Sequence, residues 1–255
     1  MHFSAVNKVF WAAGLAMDIA LFLVMVFRGR WRRFPILTIW ITLLTIRAVA
    51  LMVVYDHGSK YWYTWIYAVG YSFDFALQLG LVVEIARIVL RPTGTWIRDA
   101  RLPFVVGGTA GAAVAVLFAW WVSPPNPSAV SLWVTRVNLF TSLVICELFV
   151  LMMVTANRFG LGWRNHVMAI GQGLTAWSSL MVLKTSIQSL PGTGHYFSLL
   201  NELGNVTYLA AIGWIILQLW RDEPERRPIS PDLSEYILAL HRRVEYDLRR
   251  LDAPQ

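Results

Sequence analysis

Seven long apolar segments, separated by loops whose positive charge alternates, constrain this chain more than any other feature. The segments lie near residues 9–27, 35–55, 61–86, 102–122, 130–154, 167–187 and 197–220. Rising about 1.5 Å per residue, a helix over any of them is long enough to cross a hydrocarbon core of about 30 Å. The expected fold is therefore all-α: a polytopic bundle of seven transmembrane helices over residues 1–221. The remaining residues, 222–255, form a short segment too small for a kinase, cyclase or DNA-binding domain.

Charge sets the orientation. The loop after the first segment carries Arg28, Arg30, Arg32 and Arg33, and residues 87–101 carry Arg87, Arg91, Arg98 and Arg101. Arg158 and Arg164 follow the fifth segment, and the tail adds Arg221, Arg226, Arg227, Arg242, Arg243, Arg249 and Arg250. The intervening gaps hold only Asp56 and Lys60, or no basic residue at all. The positive-inside rule then places the N-terminus outside and the C-terminus in the cytoplasm, in the inner (cytoplasmic) membrane of the cell. A net charge of +7 thus reads as a topology signal, with anionic lipid headgroups as the expected partner and no role for nucleic acid. Hydrophobic residues make up 57% of the chain, more than a wetted exterior accommodates.

Aromatic residues mark the same boundaries. Trp11, Trp62, Trp65, Trp120, Trp121 and Trp133 fall on the outer side, and Trp31, Trp96, Trp163 and Trp220 on the inner. Indoles favour the headgroup level, so Trp40, Trp177 and Trp214 stand out as deeper in the bundle. Cys146 is the only cysteine and excludes a disulfide framework. The first apolar stretch lacks a small-residue cleavage site and reads as a retained helix.

Short connections predict that consecutive helices are neighbours. Pro35 suits the first turn of the second helix, where its missing N–H would have no partner anyway. The third segment is the longest, extending toward residue 91, and the Pro-rich run 122–128 reads as a stiff outer loop. Gly107, Gly111 and Ala115 recur every four residues, a spacing that permits close helix approach within the bundle or across a homodimer. In the tail, Pro224, Pro228 and Pro231 break the chain. Leu233, Ile237, Leu240, Val244, Leu248 and Leu251 then describe an amphipathic helix for the inner leaflet, the bundle or a partner.

Charged side chains within the spans are the candidates for chemistry, since each costs roughly 2.5–3.5 kcal/mol at a helix centre. They are Asp18, Arg47, Asp74, Glu84, Arg87, Arg136, Glu147, Lys184 and Glu202. Counting from the outer boundary, Lys184 and Glu202 lie shallowest, Arg136 and Arg47 deeper, and Asp18 and Asp74 deepest. Tyr67, Tyr71, Asp74 and Gln78 share one face of the third helix, and Asn201, Asn205 and Tyr208 one face of the seventh. This convergence predicts a ligand pocket in the outer half, built from Asp74, Arg136, Lys184, Glu202, Arg47, Gln78, Tyr71, Asn201 and Asn205. Arg136 and Glu147 lie too far apart on the fifth helix to pair, so Asp74 or Glu202 is the expected partner of Arg136. Glu84, Arg87 and Arg91 read as a local structural ladder. Interhelical pairs that fix register would explain the outer cluster equally well.

His2, His57, His166, His195 and His241 are scattered, so no metal site is expected, and no catalytic constellation or cofactor signature is present. Lys184 on the sixth helix does not match the last-helix lysine of a retinal protein. Arg32, Arg33, Phe34 and Pro35, with the charged third and fifth helices, resemble a group of uncharacterised bacterial seven-helix integral membrane proteins. That resemblance covers the membrane part and implies the fold without an activity. Three functions stay open: a seven-helix sensor with an outer polar pocket, a small-solute or ion transporter using Asp18, Asp74 and Glu147, and a scaffold whose charges are structural. The sensor is the expectation, because the loops are short and a helix follows the bundle. No matched internal repeat supports the transporter.

Overall fold

The computed structural model of the chain describes residues 5–57, 60–90, 98–122, 129–158, 166–190 and 196–222. They form seven α-helices: α1 (Ala5–Phe27), α2 (Pro35–His57), α3 (Lys60–Leu90), α4 (Arg98–Trp121), α5 (Ala129–Arg158), α6 (His166–Gln188) and α7 (Phe197–Trp220). The tail expected to hold an amphipathic helix lies outside the described residues, as does Arg91. Of the seven helices, α1, α2, α3, α5 and α7 are each long and apolar enough to cross a membrane. Helix α4 has a shorter apolar run, Val105–Trp121. Helix α6 is less apolar because Gly171, Gly173, Ser178 and Thr185 face the interior, where small residues let neighbouring helices close in. On the outside of α2, Ile39, Ile46, Val49 and Val53 are all exposed, an apolar surface that water would not tolerate and lipid would.

Six helices close a ring in the order α1, α2, α3, α5, α6, α7, with α7 returning to α1. Helix α4 stands outside it, packed on α5. Here the structure departs from the sequence expectation, since α3 and α4 are consecutive but not neighbours. The reason lies in the two faces of α5. Phe140 and Phe149 turn one face toward the ring, Phe140 meeting Phe75 of α3 at 5.7 Å between ring centroids and Phe149 meeting Gly171 of α6. Glu147, Leu148 and Leu151 turn the other toward α4, where Gly111, Gly108 and Gly107 leave room for them. The small-residue stripe, which includes the fully buried Ala115, therefore serves a contact within the chain.

One end of the ring is dry. Leu21, Met25, Phe34, Leu37, Ile41, Leu81, Ile145, Ile170, Ile215 and Leu219 are at most 1% exposed and join in a single cluster. Phe34 precedes α2, Ile145 lies midway along α5, and the others come from the halves of their helices nearest the Arg-rich loops. There Gly29, at φ +63°, turns the chain out of α1 in a conformation open to glycine and strained for most other residues. Arg28 pairs with Asp222 at 3.1 Å and lies over the Trp220 ring, while Arg30 donates to the Arg221 carbonyl oxygen at 3.1 Å. The loop between α1 and α2 thereby grips the end of α7.

Glu84 corrects a second expectation. Its carboxylate does not form a ladder with Arg87, whose side chain is exposed, but crosses to α2. It accepts the backbone N–H groups of Ile36 at 3.0 Å and Leu37 at 3.3 Å. The first α-helical bond runs from the Thr38 N–H to the Phe34 carbonyl, so Phe34 occupies the capping position and has no side-chain acceptor to offer. Glu84 supplies that acceptor from α3 and sets a negative charge on the positive end of the helix dipole. Glu84→Ala should destabilise the protein by about 1–3 kcal/mol, and Glu84→Gln, which keeps one acceptor oxygen, by less. Denaturant unfolding in detergent checks the order; equal loss in both variants would show that the negative charge, not the acceptor, is what α2 requires.

Candidate functional site

At the opposite end of the ring the apolar filling stops and a cavity of about 620 Å³ begins, walled by α1, α2, α3, α5, α6 and α7. Its floor is built on Asp74, 4% exposed. Trp40 Nε1–H donates to Asp74 Oδ1 at 2.5 Å, Gln78 Nε2 donates to the same oxygen at 2.8 Å, and Arg47 Nη1 pairs with Oδ2 at 3.1 Å. Gln78 reaches Asp74 because residues four apart share a helix face. Arg47 and Trp40 reach it because they lie seven residues apart, two turns along α2. Three donors on one carboxylate join α2 to α3 and offset what burying the charge costs.

Beside this cluster a second acid joins α1 to α7. Tyr208 O–H donates to Asp18 Oδ1 at 2.5 Å, and the Tyr208 ring meets Trp177 of α6 edge-on at 5.7 Å. Above the floor, Arg47 lies 4.8 Å over the Tyr71 ring. Tyr71 continues to Tyr67 at 4.7 Å, and Tyr67 to Tyr63 at 6.4 Å, an aromatic file rising one turn at a time along α3 toward the mouth. Phe10, Trp11 and Leu15 of α1 and Asn138 of α5 complete the lining with Lys184, Asn201 and Asn205.

Of the residues expected from sequence, Asp74, Arg47, Tyr71, Lys184, Asn201 and Asn205 line this cavity, and Gln78 supports Asp74 beneath it. Arg136 and Glu202 are not among its lining residues. Arg136 turns to α4, donating to the Trp120 carbonyl oxygen at 3.3 Å and stacking over the Trp120 ring at 4.4 Å. A cation at the carbonyl end of a helix meets the negative end of its dipole, so α4 replaces Asp74 and Glu202 as the partner. Glu202 is exposed, because one residue along α7 from Asn201 is a rotation of about 100° away from the cavity. Asn201 itself accepts from Gln188 at 3.4 Å.

Sequence reasoning left Trp40, Trp177 and Asn138 out of the site, and it named Asp18 among the buried charges and Tyr208 on the polar face of α7 without listing either as a pocket residue. Trp40 and Trp177 carried a signal of their own: they sit away from the headgroup levels that otherwise attract indoles, and both turn inward. Trp214, deep by the same criterion, is 43% exposed on the outer surface, so depth alone did not decide. Asn138 follows from Arg136, since two residues along a helix rotate a side chain by about 200° to the opposite face.

Charges in the cavity are unequally satisfied. Asp74 and Arg47 neutralise each other. Lys184, whose ammonium lies 3.6 Å from the point a Cβ on Gly204 would occupy, has no carboxylate within 4 Å among the described residues. Such a group in a concave, aromatic-lined space of this volume is suited to hold a polar ligand. Comparison with models of protein families, with curated proteins and with solved structures finds no match to this chain.

Gly70 keeps the floor in place. A Cβ there would stand 2.5 Å from Arg47 Cδ and 3.1 Å from Cγ, so Gly70→Ala must push Arg47 off Asp74. The expected loss is about 1–3 kcal/mol of stability. Gly80→Ala on the same helix is the control, because its new methyl would meet Ile36 at an ordinary 3.4 Å. Thermal unfolding of the two variants side by side checks this; an equal effect would mean that the Arg47 stem is free to move.

Proposed function

We propose that this chain is a seven-helix membrane sensor that takes a small polar ligand into the cavity at the end of the bundle remote from the Arg-rich loops. In this reading α4 and α6 cross the inner membrane with the other five helices, the N-terminus and the cavity mouth face outside, and residues 222–255 lie in the cytoplasm. There the tail provides a Pro-broken linker and an amphipathic helix against anionic headgroups. The observation that carries the reading is a roomy cavity holding Lys184, which has no carboxylate partner among the described residues, and closed below by an apolar core.

The dry core favours a sensor over a carrier. Below Asp18 and Asp74, the fully buried Leu21, Ile41, Leu81, Ile145 and Ile215 offer no polar group to a solute moving onward. Communication through the bundle is better provided for. Tyr208 hangs from α7 into the cavity, and α7 ends at Arg221 and Asp222 in the grip of Arg28 and Arg30. A ligand that draws α6 and α7 inward would shift that grip and the tail that follows it in sequence.

Thermal unfolding of the detergent-purified protein against a panel of charged and polar metabolites tests the proposal. A ligand present at about 100 times its dissociation constant should add about 2.7 kcal/mol of stability, and Lys184→Gln should cut the gain to about half or less while remaining folded. No stabilisation by any compound would reject the pocket and leave the buried charges as structural. Stabilisation accompanied by uptake of the same compound into proteoliposomes would make the protein a transporter.

A further inference from the structure

Resting on the pocket reading above, we infer that the ligand is a small zwitterion, an amino acid or betaine-like molecule carrying one carboxylate and one ammonium group. Two charges in the cavity are left without an opposite charge at contact distance, and they differ in sign. Lys184 enters from α6 against Gly204, and Asp18 enters from α1 against Tyr208. Gly204 and Tyr208 are one turn apart on α7, so both charges border the same stretch of that helix.

Neither is provided for within the described chain. Asp74 fills its oxygens with Trp40, Gln78 and Arg47, and the nearby Arg47 is taken in return. Asp18 has one donor, Tyr208, on Oδ1 and none on Oδ2 among the described residues, and the residue, 5% exposed overall, lines the cavity. Lys184 has three N–H donors to place. A ligand carboxylate on Lys184 and a ligand ammonium on Asp18 would satisfy both and leave the cavity neutral, whereas an anion or a cation alone would leave the buried Asp18 or the half-buried Lys184 unmatched. The neighbours agree with this. Asn205 adds an amide to the same cavity lining, and Trp177 and Tyr208 add aromatic rings, Tyr208 meeting Asp18 through its hydroxyl, of a kind that suits an ammonium or quaternary ammonium group.

Matched probes on the full-length protein in detergent decide the question. The standard amino acids, glycine betaine, γ-aminobutyrate and ε-aminocaproate are screened by thermal shift. Each hit is then compared with its deaminated carboxylate and its decarboxylated amine. The expected result is a zwitterion that raises Tm by about 5 °C or more at saturation, with both half-molecules far weaker. Lys184→Gln and Asp18→Asn should each weaken binding by roughly tenfold or more, and Lys184→Arg should retain it. If a variant fails to fold, the comparison of the hit with its two halves on the wild-type protein decides alone. A half-molecule that binds as well as the whole, or a hit confined to neutral polyols, overturns the zwitterion and leaves the pocket standing. Silence across every probe, neutral ones included, overturns both.

Discussion

The bundle is organised around the demand that a carboxylate far from water be given donors, and Asp74 is where that demand is met most fully. Its position midway along a helix long and apolar enough to cross a membrane would be costly for a bare charge. Trp40, Gln78 and Arg47 answer it from two helices, and that answer fixes the register of α2 against α3. Arg47 reaches Asp74 because Gly70 carries no side chain, and its guanidinium in turn caps the aromatic file of α3. One buried acid thus accounts for an inward indole, a glycine and the floor of a cavity.

The same logic divides the molecule lengthwise. Toward the Arg-rich end, apolar side chains make up most of the filling, with Glu84 capping α2 and His166 buried at the start of α6. Toward the other end, polar and aromatic groups line space instead of filling it. A half-empty bundle gives up dispersion contacts that a packed one would have, so such a cavity is expected where something else occupies it. Glu147 is a smaller instance of the same tension, since its carboxylate sits in the α4–α5 seam only because Gly111 makes room.

Much of this was legible in the sequence, and the failures have a common cause. Helix limits followed from apolar length and Pro35, and the inward face of α3 followed from the three- and four-residue steps between Tyr67, Tyr71, Asp74 and Gln78. Partner choice did not follow. Sequence gives the depth of Arg136 but not the direction it points, and a rotation of about 100° per residue sends it to Trp120 while Asn138 turns to the cavity. Glu84 looked like part of a helix-surface ladder because its true partners are backbone N–H groups of another helix, which no side-chain pattern announces. Loop length suggested that α3 and α4 would be neighbours, but the glycine face of α4 fits the Leu148 and Leu151 side chains of α5.

The central claim is that one half of the bundle holds a cavity, which the proposed orientation opens to the outside, and the other half is packed with apolar side chains. Thiol accessibility tests it most directly. In a Cys146→Ser background, Asn205→Cys places a thiol in the cavity wall and Leu81→Cys places one in the apolar core. A membrane-impermeant maleimide added to intact cells should label Asn205→Cys and leave Leu81→Cys untouched. Labelling of Asn205→Cys only from the cytoplasmic side, or labelling of both positions, would contradict the account.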